Sequence, residues 1–501
     1  MSLIRVIDTF RSPCQESWRQ DFSIPEGFAA VIHCRRGNER EAAMSRDDGF
    51  HIGFFGDVRR QEAGATLFER VVATGSLVLH EVGGDRAGEM SAHRFLGSAR
   101  VTPEEILKTV GKRTALACAG RRIVAAQDTT EINFSGRHGG RDALGPAGDG
   151  ETPGFFCHAL VAVDADDEAL LGVLHARIWT RPKERVAARR SLAIEDKESY
   201  RWIEATAAAG DLLGCAAQLI VLGDREFDIY SQFVRVPPGV ELIVRAAQNR
   251  RLADDDERLF DAPSDWRKFG TMDICVPPSR PGDAGRIARV SVKAGRVCIA
   301  KPRHGAATDP ATVTLSYLEV RETKPPKGRD AIIWRLLTTL PVAGEPDEFA
   351  AAQEIVRLYR LRWRIEQVFR AMKSDGLRLE ETQVKDAMRL FNLAAIALTA
   401  AARTIQLVDA RDGSSRPASD VADQDVIAAA KAIGPTLEGD TARQKNPHDP
   451  ESLAWLSWII ARLGGWNCYY KPPGPKTIRR GWNKLEAMAA GYAVAMAQQN
   501  V

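Results

Sequence analysis

The order of apolar runs between residues 123 and 223 constrains this chain more than any other feature. Residues 123–126 form a short apolar run that ends at Asp128. Residues 155–163 and 170–179 are longer apolar stretches joined by the acidic turn Asp164, Ala165, Asp166, Asp167, Glu168, the pattern of a hairpin. A helical segment lies at about residues 197–213, and residues 217–223 read as a fully buried strand that stops at Asp224. The order is therefore strand, strand, strand, helix, strand, with an acid at the end of the first and last strands. An acid placed where a buried strand stops can point into a site.

The flanks are organised differently. Residues 1–50 are polar, show little periodicity and read as a poorly ordered leader, with Met44 just before the first structured stretch. Residues 51–120 read as a small helical domain, in which Thr102 caps a helix whose first turn holds Pro103. The strand-helix-strand run belongs to a core whose first part is residues 121–232. Residues 233–345 are punctuated by Pro and Gly around short Val/Ile runs, which predicts a strand-rich insertion. Helix resumes near Glu348, so residues 346–410 are the second part of the core. Residues 411–501 form a helical tail, broken at Gly464 and Gly465 and by the Pro-rich loop 471–476.

Charge sharpens this picture. The 69 Lys and Arg against 66 Asp and Glu leave a net +3, too balanced for a protein that coats a polyanion by bulk charge. Locally the balance fails: residues 357–373 hold Arg357, Arg360, Arg362, Arg364, Arg370 and Lys373 with one acid, Glu366. On one continuous helix, Tyr359, Arg362, Glu366 and Lys373 fall within an arc of about 60°. Leu358, Leu361, Ile365, Val368, Phe369 and Met372 fill the adjoining, core-facing stripe. A lone carboxylate among cations makes chemical sense with a divalent cation. Glu366 with Asp128 and Asp224 would supply hard oxygen ligands for Mg²⁺ or Mn²⁺, two ions about 3.5–4 Å apart, while the cations hold phosphates.

At these residues the chain resembles a known family. Asp128-Thr129-Thr130, Asp224-Arg225-Glu226-Phe227-Asp228-Ile229-Tyr230, and Tyr359, Arg362, Glu366 and Lys373 around Trp363-Arg364-Ile365 are similar to the three active-site motifs of DDE transposases. They are similar in particular to the insertion-sequence-four family, with its Tyr-Arg-Glu-Lys signature and its member from transposon five. Gly56-Asp57 with Arg59-Arg60, and residues 91–96, resemble that family's N-terminal DNA-binding region. Residues 456–482 resemble its C-terminal dimerisation tail. The resemblance covers about residues 55–490, and a start at Met44 fits it better than Met1.

The resemblance implies an α/β fold: a ribonuclease-H-like catalytic core with a β-rich insertion, flanked by helical N- and C-terminal domains. It implies a metal-dependent DNA transposase, both endonuclease and strand transferase, performing cut-and-paste transposition of an insertion sequence. Asp128, Asp224 and Glu366 are then the catalytic metal ligands for two Mg²⁺ or Mn²⁺ ions. Tyr359, Arg362 and Lys373 contact phosphates near the element's end, Trp334 stacks on a base flipped out during hairpin formation, and Arg59 and Arg60 touch DNA. The partners are double-stranded DNA, as transposon ends and target, and a second copy of the chain in a synaptic complex. The expected setting is a bacterial-type cytoplasm.

Alternatives stand beside this reading. One is a catalytically silent end-binding inhibitor derived from such an enzyme, and another is a ribonuclease-H-like nuclease without strand transfer. Arg245, Arg250 and Arg251 either grip DNA or are neutralised by Asp254, Asp255, Asp256 and Glu257 in a surface ion-pair loop. Trp334 is either a core tryptophan or the base-stacking one. His138, His158 and His175 lack metal-ligand spacing and read as structural. The eight cysteines form no C-x-x-C pair, which disfavours zinc and thioredoxin-like sites. No Walker A loop or G-x-S-x-G elbow is present. The best membrane candidate, residues 390–402, ends after 13 uncharged residues at Arg403, so a membrane span is not expected.

Overall fold

The computed structural model describes residues 51–134, 141, 143–183, 192–253, 257–276, 285–373, 376–411, 413, 414 and 416–499. The expected leader with Met44, together with His138, Asp254, Asp255 and Asp256, lies outside the described residues. In chain order come four helices, α1 (Val58–Thr74), α2 (Leu79–Gly83), α3 (Arg86–Leu96) and α4 (Pro103–Cys118). Three strands follow, β1 (Arg122–Asn133), β2 (Gly154–Asp164) and β3 (Leu170–Trp179), then α5 (Arg201–Leu212), β4 (Gln218–Gly223), α6 (Tyr230–Val234) and β5 (Val240–Arg245). After these come β6 (Lys268–Val276), β7 (Arg286–Ala300), β8 (Thr312–Glu322) and β9 (Ile333–Thr338). The chain closes with α7 (Glu348–Arg360), α8 (Trp363–Lys373), α9 (Ala387–Ala410), α10 (Gln424–Leu437), α11 (Leu453–Leu463) and α12 (Pro475–Gln499). The fold is mixed α/β and divides into two compact units, each discontinuous in sequence. Of the described residues, those within 38–189, 211–217 and 363–501 form a hairpin unit, and those within 190–210 and 218–362 form a sheet unit.

In the hairpin unit the strands run in the order β3-β2-β1, all antiparallel. Every residue of β2 is buried, which is why it reads as a continuous apolar run rather than an alternating one. The acidic turn closes the hairpin, with the Asp166 amide donating to Asp164 Oδ1 at 2.9 Å. Asp128 does not end its strand, contrary to expectation. It sits in the middle of β1, opposite Ala159, because β2 reaches back to Gly154 and pairs with the polar stretch as far as Asn133. A strand continues through polar residues as long as its backbone groups keep ladder partners.

Helices cover this sheet. Asp57 caps α1 by accepting from the Arg59 amide at 2.9 Å, and Thr102 caps α4 by accepting from the Glu105 amide at 3.2 Å, with Pro103 in the first turn as predicted. Both α4 and α9 pack on β3. Gly111 permits the close approach of α4, since a Cβ there would lie 2.2 Å from the Leu174 carbonyl oxygen. The 24-residue α9 is long and apolar enough to cross a membrane, but 83% of its most apolar window is buried inside the protein. It is the central core helix of its unit.

Across α9 lies a charge cluster in which two carboxylates meet a buried arginine. Arg403, almost fully buried, donates to Glu69 Oε1 of α1 at 2.5 Å and stacks over Phe68 and Trp482. Glu486 of α12 lies beside Glu69 and Arg403, and its burial, together with the neighbouring Glu69, pushes its carboxyl up to about 10 from an ordinary 4.5. Between those values the folded chain holds a proton that the unfolded chain has released, so stability falls as pH rises from about 4.5 towards 10. We expect Glu486→Gln to remove much of this slope. Thermal melts of both proteins from pH 5 to 9 check it, and parallel Tm profiles would refute it.

The sheet unit is built on six strands in the order β4-β5-β9-β8-β7-β6. Only the β4–β5 pair is parallel, and the others run antiparallel. The strand-rich character expected of residues 233–345 is thus present as β5 to β9.

Candidate active site

The sheet unit holds five of the expected site residues, Asp224, Arg245, Trp334, Tyr359 and Arg362. β4 ends at Gly223, and Asp224 then caps a short 3₁₀ helix, Arg225–Phe227, by accepting from the Glu226 amide at 2.8 Å. That turn is anchored by Phe227, which is fully buried and stacks on Trp202 of α5 with ring centroids 5.3 Å apart. β5 runs parallel to β4 with Gly223 opposite Val244, so Arg245 leaves β5 at the same carboxyl end where Asp224 leaves β4. This is the end of a parallel pair where α/β proteins place ligands.

Around Arg245 stand Asp224, Arg225, Tyr359 and Arg362. Burial lowers the proton affinity of the Arg245 guanidinium; Tyr359 opposes that shift, and Arg225 and Arg362 add to it by repulsion. Burial likewise pushes the Tyr359 hydroxyl up, against the pull of Arg362 and Arg245. The half-buried Trp334 of β9 meets the Tyr359 ring edge-on, with centroids 5.6 Å apart at 68°. Arg245 also donates to the Ile333 carbonyl beside Trp334, at 3.4 Å. Three cations, one carboxylate and two aromatic rings therefore share one face of this unit. Such a face holds an anion by charge and offers a planar surface for a base.

Asp128, Glu366 and Lys373 belong to the hairpin unit, where α8 packs on β1 and β2. Asp128 Oδ1 accepts from the Thr129 amide at 2.7 Å, and Asp128 and Glu366 are both partly exposed. On the buried side of β1, His158 is fully enclosed between Thr129 Oγ1 (2.9 Å) and Gln127 Oε1 (3.1 Å), in keeping with a structural role. The Lys373 ammonium donates to the Glu131 carbonyl at 2.5 Å and pairs with Glu380 at 3.1 Å.

Two expectations are corrected. Residues 357–373 are not one helix: α7 ends at Arg360 and α8 begins at Trp363. The Leu361 amide donates to Leu358 O (2.9 Å) and the Arg362 amide to Tyr359 O (3.2 Å), tightening the last turn while Leu361 and Arg362 are buried. The 60° arc expected of Tyr359, Arg362, Glu366 and Lys373 presumes one continuous helix, and the chain has two here, with Tyr359 on α7 and Glu366 and Lys373 on α8. Within this basic stretch Arg357 pairs with Glu354 at 2.7 Å and Arg364 with Asp409 at 3.2 Å. Finally, Arg250 is neither a DNA grip nor part of a surface loop with residues 254–256. It is buried and pairs with Asp228 at 2.6 Å.

Of the two N-terminal candidates, Arg59 is exposed at the start of α1. Arg60 bends back to donate to the Phe55 carbonyl at 2.6 Å and lies 3.6 Å from Asp57.

The donor set of Asp128, Asp224 and Glu366 suits a hard divalent cation in kind. Asp128 and Glu366 belong to the hairpin unit and Asp224 to the sheet unit, and among the described residues no group of three or more His, Cys, Asp or Glu side chains is placed to hold a metal ion. Residues 205–402 match the transposase DDE domain. The matched DDE segment contains Asp224, Arg245, Trp334, Tyr359, Arg362, Glu366 and Lys373, so the whole charged face around Arg245 lies within it. Asp128, Arg59 and Arg60 lie outside it and rest on their motifs alone. Sequence reasoning gave no role to Trp202, Arg225 or Asp228. Arg225 and Asp228 had a signal, as the second and fifth residues of the Asp224 motif; Trp202 had none, because its partner is 25 residues away in sequence.

Proposed function

We propose that this protein is a cut-and-paste DNA transposase, an endonuclease and strand transferase with a ribonuclease-H-like core of the insertion-sequence-four type. The observation that carries the reading is the match of residues 205–402 to the transposase DDE domain, with Asp224, Arg245, Tyr359 and Arg362 grouped on one face inside it. In this reading Arg245 and Arg362 hold backbone phosphates of the element's end, Tyr359 donates its hydroxyl to a phosphate oxygen, and Trp334 supplies the ring on which an extruded base stacks. Lys373 adds a further phosphate contact, and Arg59 and Arg60 belong to the N-terminal DNA contact. Asp128, Asp224 and Glu366 are the proposed catalytic carboxylates. Mg²⁺ or Mn²⁺ enters the proposal on the hardness of these donors and on the matched family. A homodimer bridging two ends through the C-terminal helices, working in a bacterial-type cytoplasm, completes it.

The test uses the full chain, Mg²⁺ and a duplex carrying the inverted repeat that flanks the coding sequence. Release of flanking DNA and, with a target plasmid, a joined product are expected. Binding without cutting in Mg²⁺ or Mn²⁺ would establish the silent end-binding alternative instead. Cutting that never yields a joined product would reduce the function to that of a nuclease.

A further inference from the structure

Asp228 and Arg250 form the most completely buried ion pair described in the sheet unit, with side-chain exposures of 0% and 4%. The Asp228 carboxylate accepts four bonds from the loop that follows β5. The amides of Ala247 and Gln248 donate to Oδ2 at 2.8 and 2.9 Å, and Arg250 donates to Oδ1 through Nε at 3.0 Å and Nη2 at 2.6 Å. Arg250 Nη2 also reaches the Asp228 carbonyl at 2.7 Å, and the Gln248 side-chain amide reaches the same carbonyl at 3.2 Å. Both ends of this pair border the proposed active-site face. Asp228 lies four residues after Asp224, at the end of the 3₁₀ turn that Asp224 caps, and the Ala247 amide lies two residues after Arg245. Further bonds hold the turn and the short helix α6 that follows it. Arg201 of α5 grips Glu226 at 2.6 Å, and Asp309 accepts from Ser231 at 2.6 Å and from Arg235 at 3.3 Å.

A buried ion pair of this kind is a costly way to hold a fold, since well-packed apolar residues of similar volume commonly do as well. What it adds is direction. A carboxylate that accepts two adjacent amides and a forked guanidinium fixes one loop against another in position and orientation. We infer that Asp228 and Arg250 are positioning residues for the transposase reaction, locking the Asp224 turn to the end of β5 so that Asp224 and Arg245 are presented as one rigid unit. The inference rests on the proposed function only in assigning Asp224 and Arg245 to DNA chemistry.

Two measurements test it on the full chain. The first is amide hydrogen exchange, which needs neither DNA nor metal. Ala247 and Gln248 are exposed residues, yet their amides are expected to exchange slowly in the wild type and at least tenfold faster in Asp228→Asn. The second is the single-turnover rate constant of end cleavage with enzyme in excess, which reports how each folded site is arranged and not how much protein is folded. It is expected to fall tenfold or more in Asp228→Asn and in Arg250→Lys, while the affinity for the end duplex changes less than threefold. Arg250→Lys keeps the buried charge and loses only the fork, so it decides the matter should Asp228→Asn fail to fold. An unchanged rate constant in Arg250→Lys, with only the reacting fraction reduced, would overturn the inference and mark the pair as a stability element. If the wild type never cuts, or if Asp224→Asn cuts as fast as the wild type, the transposase reading itself fails, and the exchange result still reports on the clamp.

Discussion

Asp224→Asn and Glu366→Gln are each expected to lower the single-turnover rate constant of end cleavage by roughly 10³-fold or more, about 4 kcal/mol of transition-state stabilisation. End binding should remain within about threefold, because the proposed function gives the phosphate grip to Arg245, Arg362 and Tyr359. The substitutions suit this test. Asparagine caps a helix as well as aspartate does, so the Glu226 amide keeps its acceptor at position 224 and the turn keeps its shape. Glu366 is only partly buried at the start of α8, and the amide there is nearly isosteric with the carboxylate. What is removed in both cases is the negative charge. Quenched-flow cleavage of a labelled end duplex beside a gel-shift titration measures the two quantities. Loss of binding in proportion to loss of cutting would show that these carboxylates shape the DNA surface rather than the chemistry.

Trp202→Ala is expected to be the most destabilising single substitution in the sheet unit, by about 3–5 kcal/mol, the usual range for truncating a fully buried large aromatic residue. The ring is 1% exposed and stacks on Phe227, so its loss opens a cavity beneath the turn that carries Asp224. Trp202→Phe keeps part of the stack and should cost about half as much or less. Urea unfolding of the three proteins checks the order. A cost below about 1 kcal/mol for the alanine variant would mean that Phe227 repacks and that the turn is anchored elsewhere.

Much of the strand arrangement was legible because burial writes itself into sequence. β2 and β4 are covered on both faces, and their apolar runs marked them within a residue or two. The caps at Asp57 and Thr102 were legible for a similar reason, since unpaired amides at a helix start select short polar side chains. Asp224 was placed correctly at the end of β4, while Asp128 was misplaced. Its apolar run stops at the same position, yet the ladder to β2 continues, and ladder hydrogen bonds are indifferent to side-chain polarity. The helix of residues 357–373 failed differently. Its apolar stripe persists across Leu361 because both pieces bury that face, and periodicity is blind to a turn that tightens without changing which residues are apolar.

The motifs and the local charge pattern are the part the sequence determined by itself. The Asp224 motif, the spacing of Tyr359, Arg362, Glu366 and Lys373, and the basic excess around them were all readable from residue type and order. Which of those groups are engaged with one another was decided only by tertiary structure. Arg357, Arg364 and Lys373 find carboxylates, Arg250 is enclosed with Asp228, and Arg245 comes to stand beside Asp224, 21 positions away in sequence, because β4 and β5 are parallel. Charge pairing and strand adjacency depend on distances through space, and those are set when the chain packs.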